Sequence, residues 1–435
     1  MKAPVAAAVA VALAALSAAL TAAAPPVKMD SDADRRILAA FLKHTDDCLA
    51  RVTPEAVGKI TQGEDICWVW SKYCRMPLTA YRLTGKAAYL DKFVKAMDTL
   101  LTRLRKGPDG YLGFRGLPLP LFRDPANPKA EADVVITAFS VAHVICEFAE
   151  ILESEPELKR THGKKLAHYL DIAENHLVAK WDARKQYMDL GAKGAVYRTG
   201  PLGRDTKRNL TQPNNKQSKA CGALLALYRV TGKDAYFRKA VALGVRFKHT
   251  LRLKNGRYLW NYWEPAGEWD RREDDPKRWK HWIGAEHRGG YHGLTLAMAE
   301  ALYDHGVVFT RTDMQRFVNT QMRIVWNGSF ETPVFRRVDG RKPQRGGYQA
   351  AALARFEPKI HRFLYEFNGP RERLANRNHS WQGGVVAAGY LVGKYLAPRG
   401  PEPRRAKYRD RFAADPANAR WLKATEFEIP AEPGS

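Results

Sequence analysis

Two stretches of the chain repeat each other, LTAYRLTGKAAYLDKFV at 78–94 and LALYRVTGKDAYFRKAV at 225–241. Each has an apolar segment, a Thr-Gly-Lys turn and a second segment whose apolar residues recur at helical spacing. A glycine directly after a helical segment is typical of a helix end. A weaker copy, ALYDHGVVFTRTDMQRFV, begins at Ala301. Each copy therefore predicts a helical hairpin of about 35 to 45 residues.

Repeated helical hairpins predict an all-α fold, because strand patterns are few and short elsewhere in the chain. Hairpins that stack side by side form either an open solenoid or a closed ring. The length of the chain accommodates about six or seven such hairpins.

The chain opens with MKAPVAAAVAVALAALSAALTAAAPP. A lysine, an apolar run rich in alanine and a small-residue cleavage site follow one another here, which is typical of a secretory signal peptide. We expect residues 1–24 to be this peptide, 25–398 the folded domain, and 399–435 a charged, Pro-rich and loosely held extension. The sequence therefore predicts a secreted or periplasmic protein without a membrane span.

The formal net charge of +25 is spread over the folded body, and it favours an acidic partner. For an exported protein, we expect this partner to be an acidic polysaccharide, and no nucleic-acid-binding motif is present. The five cysteines lack metal-ligand spacing, and dinucleotide and nucleophile-elbow motifs are absent. We expect a monomer that uses no metal and no cofactor.

Aromatic residues are concentrated in the segment 255–303, which ends in a predicted helix. Glu286, His287, Arg288, Tyr291 and His292 stand where its aromatic loop meets this helix. Flat aromatic faces stack on sugar rings, whereas carboxyl, imidazole and phenol groups transfer protons. The segment therefore predicts a carbohydrate site.

Polar residues also stand at the start of two further predicted helices, in QPNNKQ at 212–217 and NRNHSWQ at 376–382. If these helices run in the same direction around a ring, their starts line one mouth, together with the start of the helix that follows 286–292. A weaker element, with Gln62, Glu64, Asp65, Trp68 and Trp70, lies near the first hairpin.

The chain resembles the secreted polysaccharide lyases built as (α/α) toroids, in particular alginate and glucuronan lyases. The resemblance rests on LYRVTGKDAYFRKA, QPNNKQ, AEHRGGYHG and RNHSWQ, and it covers most of the mature chain. It implies an (α/α) toroid, an incomplete barrel of about six or seven hairpins, as the catalytic domain 25–398. It also implies β-elimination across the glycosidic bond of a uronic acid.

The lyase resemblance implies a role for each member of the candidate site. Asn215 would neutralise the substrate carboxylate, His292 would be the base or its partner, Tyr291 the acid and base, and Arg288 the carboxylate clamp. Tyr348 would be the reserve tyrosine. The substrate-binding residues would be Asn214, Trp260, Tyr262, Glu286, His287, Arg345, Tyr348, His379 and Trp381.

Other functions on the same ring stay open. A glycoside hydrolase needs two carboxylates beside the scissile bond, and the candidates are Glu64 or Asp65 with Asp133, Glu273 or Glu286. A uronate epimerase is a related alternative. A helical repeat that binds envelope polysaccharide without cleaving it would show a broad basic face and no site of facing catalytic groups.

Overall fold

The computed structural model describes residues 26–202, 204, 206–287, 290–342, 350–366, 387–397 and 400–430. The predicted signal peptide at 1–24 and residues 367–386 lie outside these ranges. The helices named below are α1 (Asp32–Leu49), α2 (Pro54–Gly58), α3 (Ser71–Thr84), α4 (Ala88–Leu101), α5 (Val135–Glu153), α6 (Pro156–Asp171), α7 (Asn214–Thr231), α8 (Asp234–His249), α9 (Gly290–Asp304), α10 (Arg311–Thr320), α11 (Pro358–Glu366), α12 (Lys407–Ala413) and α13 (Ala419–Thr425). Shorter α-helical segments lie at Gly63–Asp65 and Ala179–Ala183, and π-helical segments at Ile66–Trp70, Ile172–Val178, Gln321–Val325 and Val392–Leu396.

The two copies of the repeat form the same helical hairpin. Gly85 and Gly232 end α3 and α7 with φ of 67° and 71°, a left-handed conformation that favours glycine. Each glycine N–H donates to the carbonyl of the tyrosine four residues earlier, Tyr81 or Tyr228. The chain then reverses into α4 or α8. The predicted helix-ending role of the Thr-Gly-Lys turns is therefore confirmed.

The helices form two concentric layers. In the inner layer α3 packs on α5, α5 on α7 and α7 on α9, whereas α4, α6, α8 and α10 pack outside them. The apolar helix α5 is long enough to cross a membrane, but 89% of that apolar stretch is buried inside the ring. It is apolar on nearly all sides because neighbours cover it on nearly all sides.

The ring closes between its first helix and the helical segment 387–396. Asp34 of α1 is buried, and its carboxylate accepts hydrogen bonds from the Tyr390 hydroxyl at 2.8 Å, the Lys394 ammonium at 2.6 Å and the Tyr395 hydroxyl at 2.7 Å. Segment 392–396 also packs against α3. The protein is an all-α (α/α) toroid, which confirms the predicted fold class.

Short β-hairpins follow the outer helices. Within the described residues they are β1 (Arg105–Lys106) with β2 (Leu112–Gly113), β3 (Tyr187–Asp189) with β4 (Ala195–Tyr197), and β5 (Arg252–Lys254) with β6 (Arg257–Leu259), all antiparallel. Because an outer helix runs opposite to the inner one before it, its end lies level with the start of the next inner helix. The β-hairpins and the loops after them therefore surround the starts of the inner helices.

Residues 400–430 pack on the ring, although we expected a loosely held extension. Phe412 of α12 is fully buried and lies 4.6 Å from the Phe237 ring of α8. Trp421 of α13 is also buried, and the Lys248 ammonium donates to the Thr425 carbonyl. A few large apolar side chains hold this charged segment in place.

Candidate functional site

Three of the predicted polar elements meet at one mouth of the ring. The Lys216 ammonium of α7 lies 2.7 Å from the Glu64 carboxylate, which precedes α3. Trp68, one turn further along, lies 5.7 Å from the Tyr291 ring of α9. The Asn214 N–H donates to the Tyr262 carbonyl, which joins the aromatic loop to the start of α7. The fourth element, 376–382, lies outside the described residues.

Four aromatic rings form one wall of this mouth, which we call the aromatic row: Trp68, Tyr291, Tyr262 and Trp282. Successive ring centroids are 5.7, 5.6 and 6.1 Å apart. Trp282 and Tyr291 are 46% and 44% exposed, which is unusual for such large apolar side chains. A row of partly exposed rings offers stacking surfaces to several sugar units.

Beside the aromatic row stand two consecutive acidic residues, Glu64 and Asp65, which we call the carboxylate pair. The Glu64 carboxylate accepts from the Lys216 ammonium at 2.7 Å and from the Trp68 indole N–H at 3.1 Å. Burial and the neighbouring Glu64 charge raise the pKa of Asp65. The electrostatic environments of the two carboxyl groups differ, because Glu64 is paired with the Lys216 ammonium, whereas Asp65 is half-buried beside the negative charge of Glu64.

The interior behind the aromatic row holds a second group of predicted residues. Glu286 is fully buried, and it accepts hydrogen bonds from the Trp260 indole and, at 2.9 Å, from the Thr295 hydroxyl. Burial raises the pKa of Glu286 to about 8. His292 Nε2 lies 3.0 Å from the Gln321 amide oxygen. These contacts fasten the start of α9 to its neighbours.

Burial corrects several of the predicted roles. Asn215 and Trp260 are completely buried, and His292 is 1% exposed, so none of these side chains reaches a polymer in the mouth. Trp260 therefore cannot stack on a sugar, and Glu286 cannot bind one. Each lies one or two residues from a side chain that does line the mouth.

The remaining predicted residues divide into described and undescribed ones. Tyr262 and Asn214 are half-buried at the mouth, and His287 is exposed at 6.0 Å from the Trp282 ring. The others, Arg288, Arg345, Tyr348, His379 and Trp381, lie outside the described residues.

Residues 62–70 contribute more to the site than their sequence pattern predicts, and Lys216 and Trp282 belong to it although neither is among the predicted site residues. The signal was present, because Glu64 and Trp68 are four residues apart and so share one face of a helix. The partner of Glu64 could not be found in this way, since Lys216 is 152 residues distant in the chain.

No protein-family model and no curated protein matches this chain. Among solved structures, it is similar to an inactive variant of the α-1,6-mannanase GH76A of Salegentibacter sp. HEL1_6 in complex with α-1,6-mannotriose, in which two consecutive aspartates are replaced by asparagine. The identity is 12% and the TM-score 0.48, over 83% of this chain and 100% of that one. A family 76 glycoside hydrolase from a bovine Bacteroides thetaiotaomicron strain gives 9% and 0.48, over 76% and 69% of the two chains. Similarities this weak assign neither residue roles nor a substrate.

The prediction of a polysaccharide lyase is wrong. The solved structures named above are described as an α-1,6-mannanase and a glycoside hydrolase, and not as lyases. The structure also places the neutraliser and the base of the lyase set, Asn215 and His292, inside the protein. Because both groups must touch the same uronic acid, β-elimination by this set does not stand.

Proposed function

We propose that the protein is a glycoside hydrolase that cleaves a glycan at the mouth of its ring. The carboxylate pair, placed beside the aromatic row, carries the proposal. Glu64 and Asp65 stand at the start of an inner helix, next to Trp68 and within reach of the Tyr291 side of the row. Sugar rings that stack on the row would bring a glycosidic bond to these carboxyl groups.

Glycoside hydrolysis requires one carboxyl group that donates a proton to the leaving oxygen and one that is ionised. A raised pKa suits the donor, and the pKa of Asp65 is raised by burial and by the Glu64 charge. We assign Asp65 as the general acid. Glu64, held by the Lys216 ammonium, is then the charged partner, as nucleophile or as the base that activates water.

The other acidic candidates are occupied elsewhere. Asp133 is bound to the Lys180 ammonium at 3.3 Å and to the Arg184 guanidinium at 2.8 Å. Glu273 lies on the surface, paired with an arginine, and Glu286 is enclosed in the core. Glu64 and Asp65, by contrast, stand beside the aromatic row, where Asp65 is half-buried and its pKa is raised.

We further propose that the glycan is acidic and that the protein is exported. The ammonium groups of Lys207 and Lys216 lie 5.2 and 5.9 Å from the centroid of the Phe122 ring at the mouth. Positive charge therefore lies next to an aromatic surface there. The net charge of +25 adds long-range attraction for a polyanion. The predicted signal peptide at 1–24 supports export, and the N-terminal residue of the protein recovered after secretion tests it.

The decisive experiment incubates the protein with a panel of neutral and acidic polysaccharides and measures new reducing ends. We expect hydrolysis without the ultraviolet absorbance of an unsaturated sugar. Asp65→Asn and Glu64→Gln should each lower kcat at least about a hundredfold, because each removes a proton-transferring or charged group from the reaction. Glu273→Gln, on the surface, is the matched control and should keep full activity.

Full activity in both Asp65→Asn and Glu64→Gln would reject the assignment of the carboxylate pair. Binding of a glycan without any cleavage, across the panel, would reject the enzyme and favour the non-catalytic repeat.

A further inference from the structure

Below the mouth, the inner helices turn a group of basic side chains toward the axis of the ring. We call Lys72, Arg75, His143 and Lys219 the lumenal cluster. Lys72 lies four residues after Trp68, and Lys219 three residues after Lys216, so each continues the helix face that begins at the mouth. The Lys72 ammonium lies 5.7 Å from the Trp68 ring, which connects the cluster to the aromatic row.

The members of the lumenal cluster face one another across three inner helices. The Arg75 Nε of α3 donates to the Glu147 carboxylate of α5 at 2.7 Å, and His143 lies one turn before Glu147 with its Nε2 3.9 Å away. The Lys219 ammonium of α7 lies within electrostatic range of Arg75, Glu147 and Lys72. A Cβ added at Gly222 would lie 3.3 Å from the His143 ring, so the glycine at this position leaves room for the imidazole.

The space in front of the lumenal cluster is open. The Arg75 side chain is 48% exposed, although it lies on an inner helix between Cys74 and Met76, which are both buried. His143 is 23% exposed, and Lys72 and Lys219 are half-buried. Because the outer helices α4 and α6 cover the outer sides of α3 and α5, the exposed surface of Arg75 faces the lumen.

Among the described residues, positive charge is concentrated around Lys219. It lies within electrostatic range of two further cations, Arg75 and Lys72, and of the Glu147 carboxylate, which Arg75 already engages. Burial, followed by the charge of Arg75, lowers the pKa of Lys219 to about 8, and burial chiefly lowers that of His143 to about 3. Crowded cations of this kind are stabilised when an anion joins them.

We propose that the lumenal cluster binds an anionic substituent of the glycan, a carboxylate, a sulfate or a phosphate, below the carboxylate pair. Lys72 is seven residues from Asp65, which is roughly 10 Å along a helix. A glycan that enters the mouth would thus place a sugar beyond the cleaved bond against the cluster. The inference rests on the proposed function, because it takes the mouth as the entrance for the glycan.

The test measures binding without turnover. Glucuronic acid, glucose 6-sulfate, glucose 6-phosphate and glucose are each titrated into the full chain by calorimetry at fixed ionic strength. We expect at least one acidic sugar to bind more tightly than glucose, and the preferred one identifies the substituent. Lys219→Met should weaken that binding about tenfold, because it removes a charged partner.

Two further variants serve as controls for the loss of charge at Lys219. Lys219→Arg keeps the charge and should retain most of the binding, whereas Lys164→Met removes an exposed lysine from outer helix α6 and should change nothing. If Lys219→Met does not fold, as judged by circular dichroism, Lys72→Met replaces it. Equal binding of acidic sugars and glucose, or equal losses in Lys219→Met and Lys164→Met, would overturn the inference.

The two proposals fail in different ways. If acidic sugars bind at Lys219 but the protein hydrolyses no glycan, the proposed function is wrong and the anion site at the lumenal cluster is retained. If the protein hydrolyses neutral and acidic glycans equally fast and binds no acidic sugar, the hydrolase function is retained and the anion site at the lumenal cluster is refuted.

Discussion

The buried carboxyl group of Glu286 makes stability depend on pH in a direction opposite to that of most carboxylates. Its pKa is raised from its ordinary value of 4.5 to about 8 by burial, while hydrogen bonds from Trp260 and Thr295 offset part of that rise. Between these two values the folded protein keeps a proton that the unfolded chain has released. The free energy of unfolding therefore falls as pH rises, by up to about 1.4 kcal/mol per pH unit.

From pH 5 to pH 8, this single group should remove about 4 kcal/mol of stability, a large part of what a typical protein has. Glu286→Gln has nearly the same shape but does not titrate, so it should lack this loss. We expect wild type to approach, and then fall below, the variant in stability as pH rises. The measurement is the urea concentration at half-unfolding, followed by circular dichroism, at each pH unit for both proteins.

The comparison with Glu286→Gln cancels every other titrating group, since both proteins share them. Glu268→Gln is the matched control, because the Glu268 side chain is 85% exposed and its replacement should leave the pH profile of wild type unchanged. If wild type and Glu286→Gln lose stability in parallel from pH 5 to 8, the reasoning on this buried group is refuted.

Three further substitutions test the ring, one backbone position and the aromatic row. Asp34→Asn should lower stability by about 2 kcal/mol, because it weakens the charged hydrogen bonds that the buried carboxylate accepts and leaves Lys394 only the exposed Asp30 as an ionic partner; an unchanged melting temperature would contradict this. Gly194→Ala should cost at least about 2 kcal/mol, since φ is +89° and the new Cβ would lie 2.3 Å from the Ala242 carbonyl oxygen. A half-unfolding point equal to that of wild type would show that the backbone adjusts there. Trp282→Ala should weaken glycan binding about fivefold in a titration, with stability unchanged because the ring is half exposed; unaltered affinity would exclude it from the site.

Much of the fold follows from local sequence. The Thr-Gly-Lys turns set where α3 and α7 end, and apolar residues at helical spacing set which faces are buried. The β-hairpins were harder to predict, because strands of two or three residues leave almost no periodic pattern. The polar composition of the tail predicts a loose extension, but its few large apolar side chains, among them Phe412 and Trp421, are buried against the ring.

The candidate site was predicted at the level of segments and missed at the level of side chains. Among the described residues, the starts of α3, α7 and α9 meet at one mouth, as their polar composition indicated. Within these segments, residues close in sequence differ in exposure. Asn214 lies at the mouth while Asn215 is buried, and Tyr262 lines the mouth while Trp260 lies in the core. Chemical type alone does not distinguish such pairs.

The sequence by itself determined the helical hairpins, the positive charge and the segments rich in aromatic and polar groups, because each depends on neighbours within a few residues. Only the tertiary structure decided that Lys216 meets Glu64, that Glu286 is enclosed, and that Arg75 opens into the lumen between two buried neighbours. These outcomes depend on which helix packs on which, and on the angle at which each helix presents its faces. Exposure and pKa are set by groups far away in the chain, so no local pattern records them.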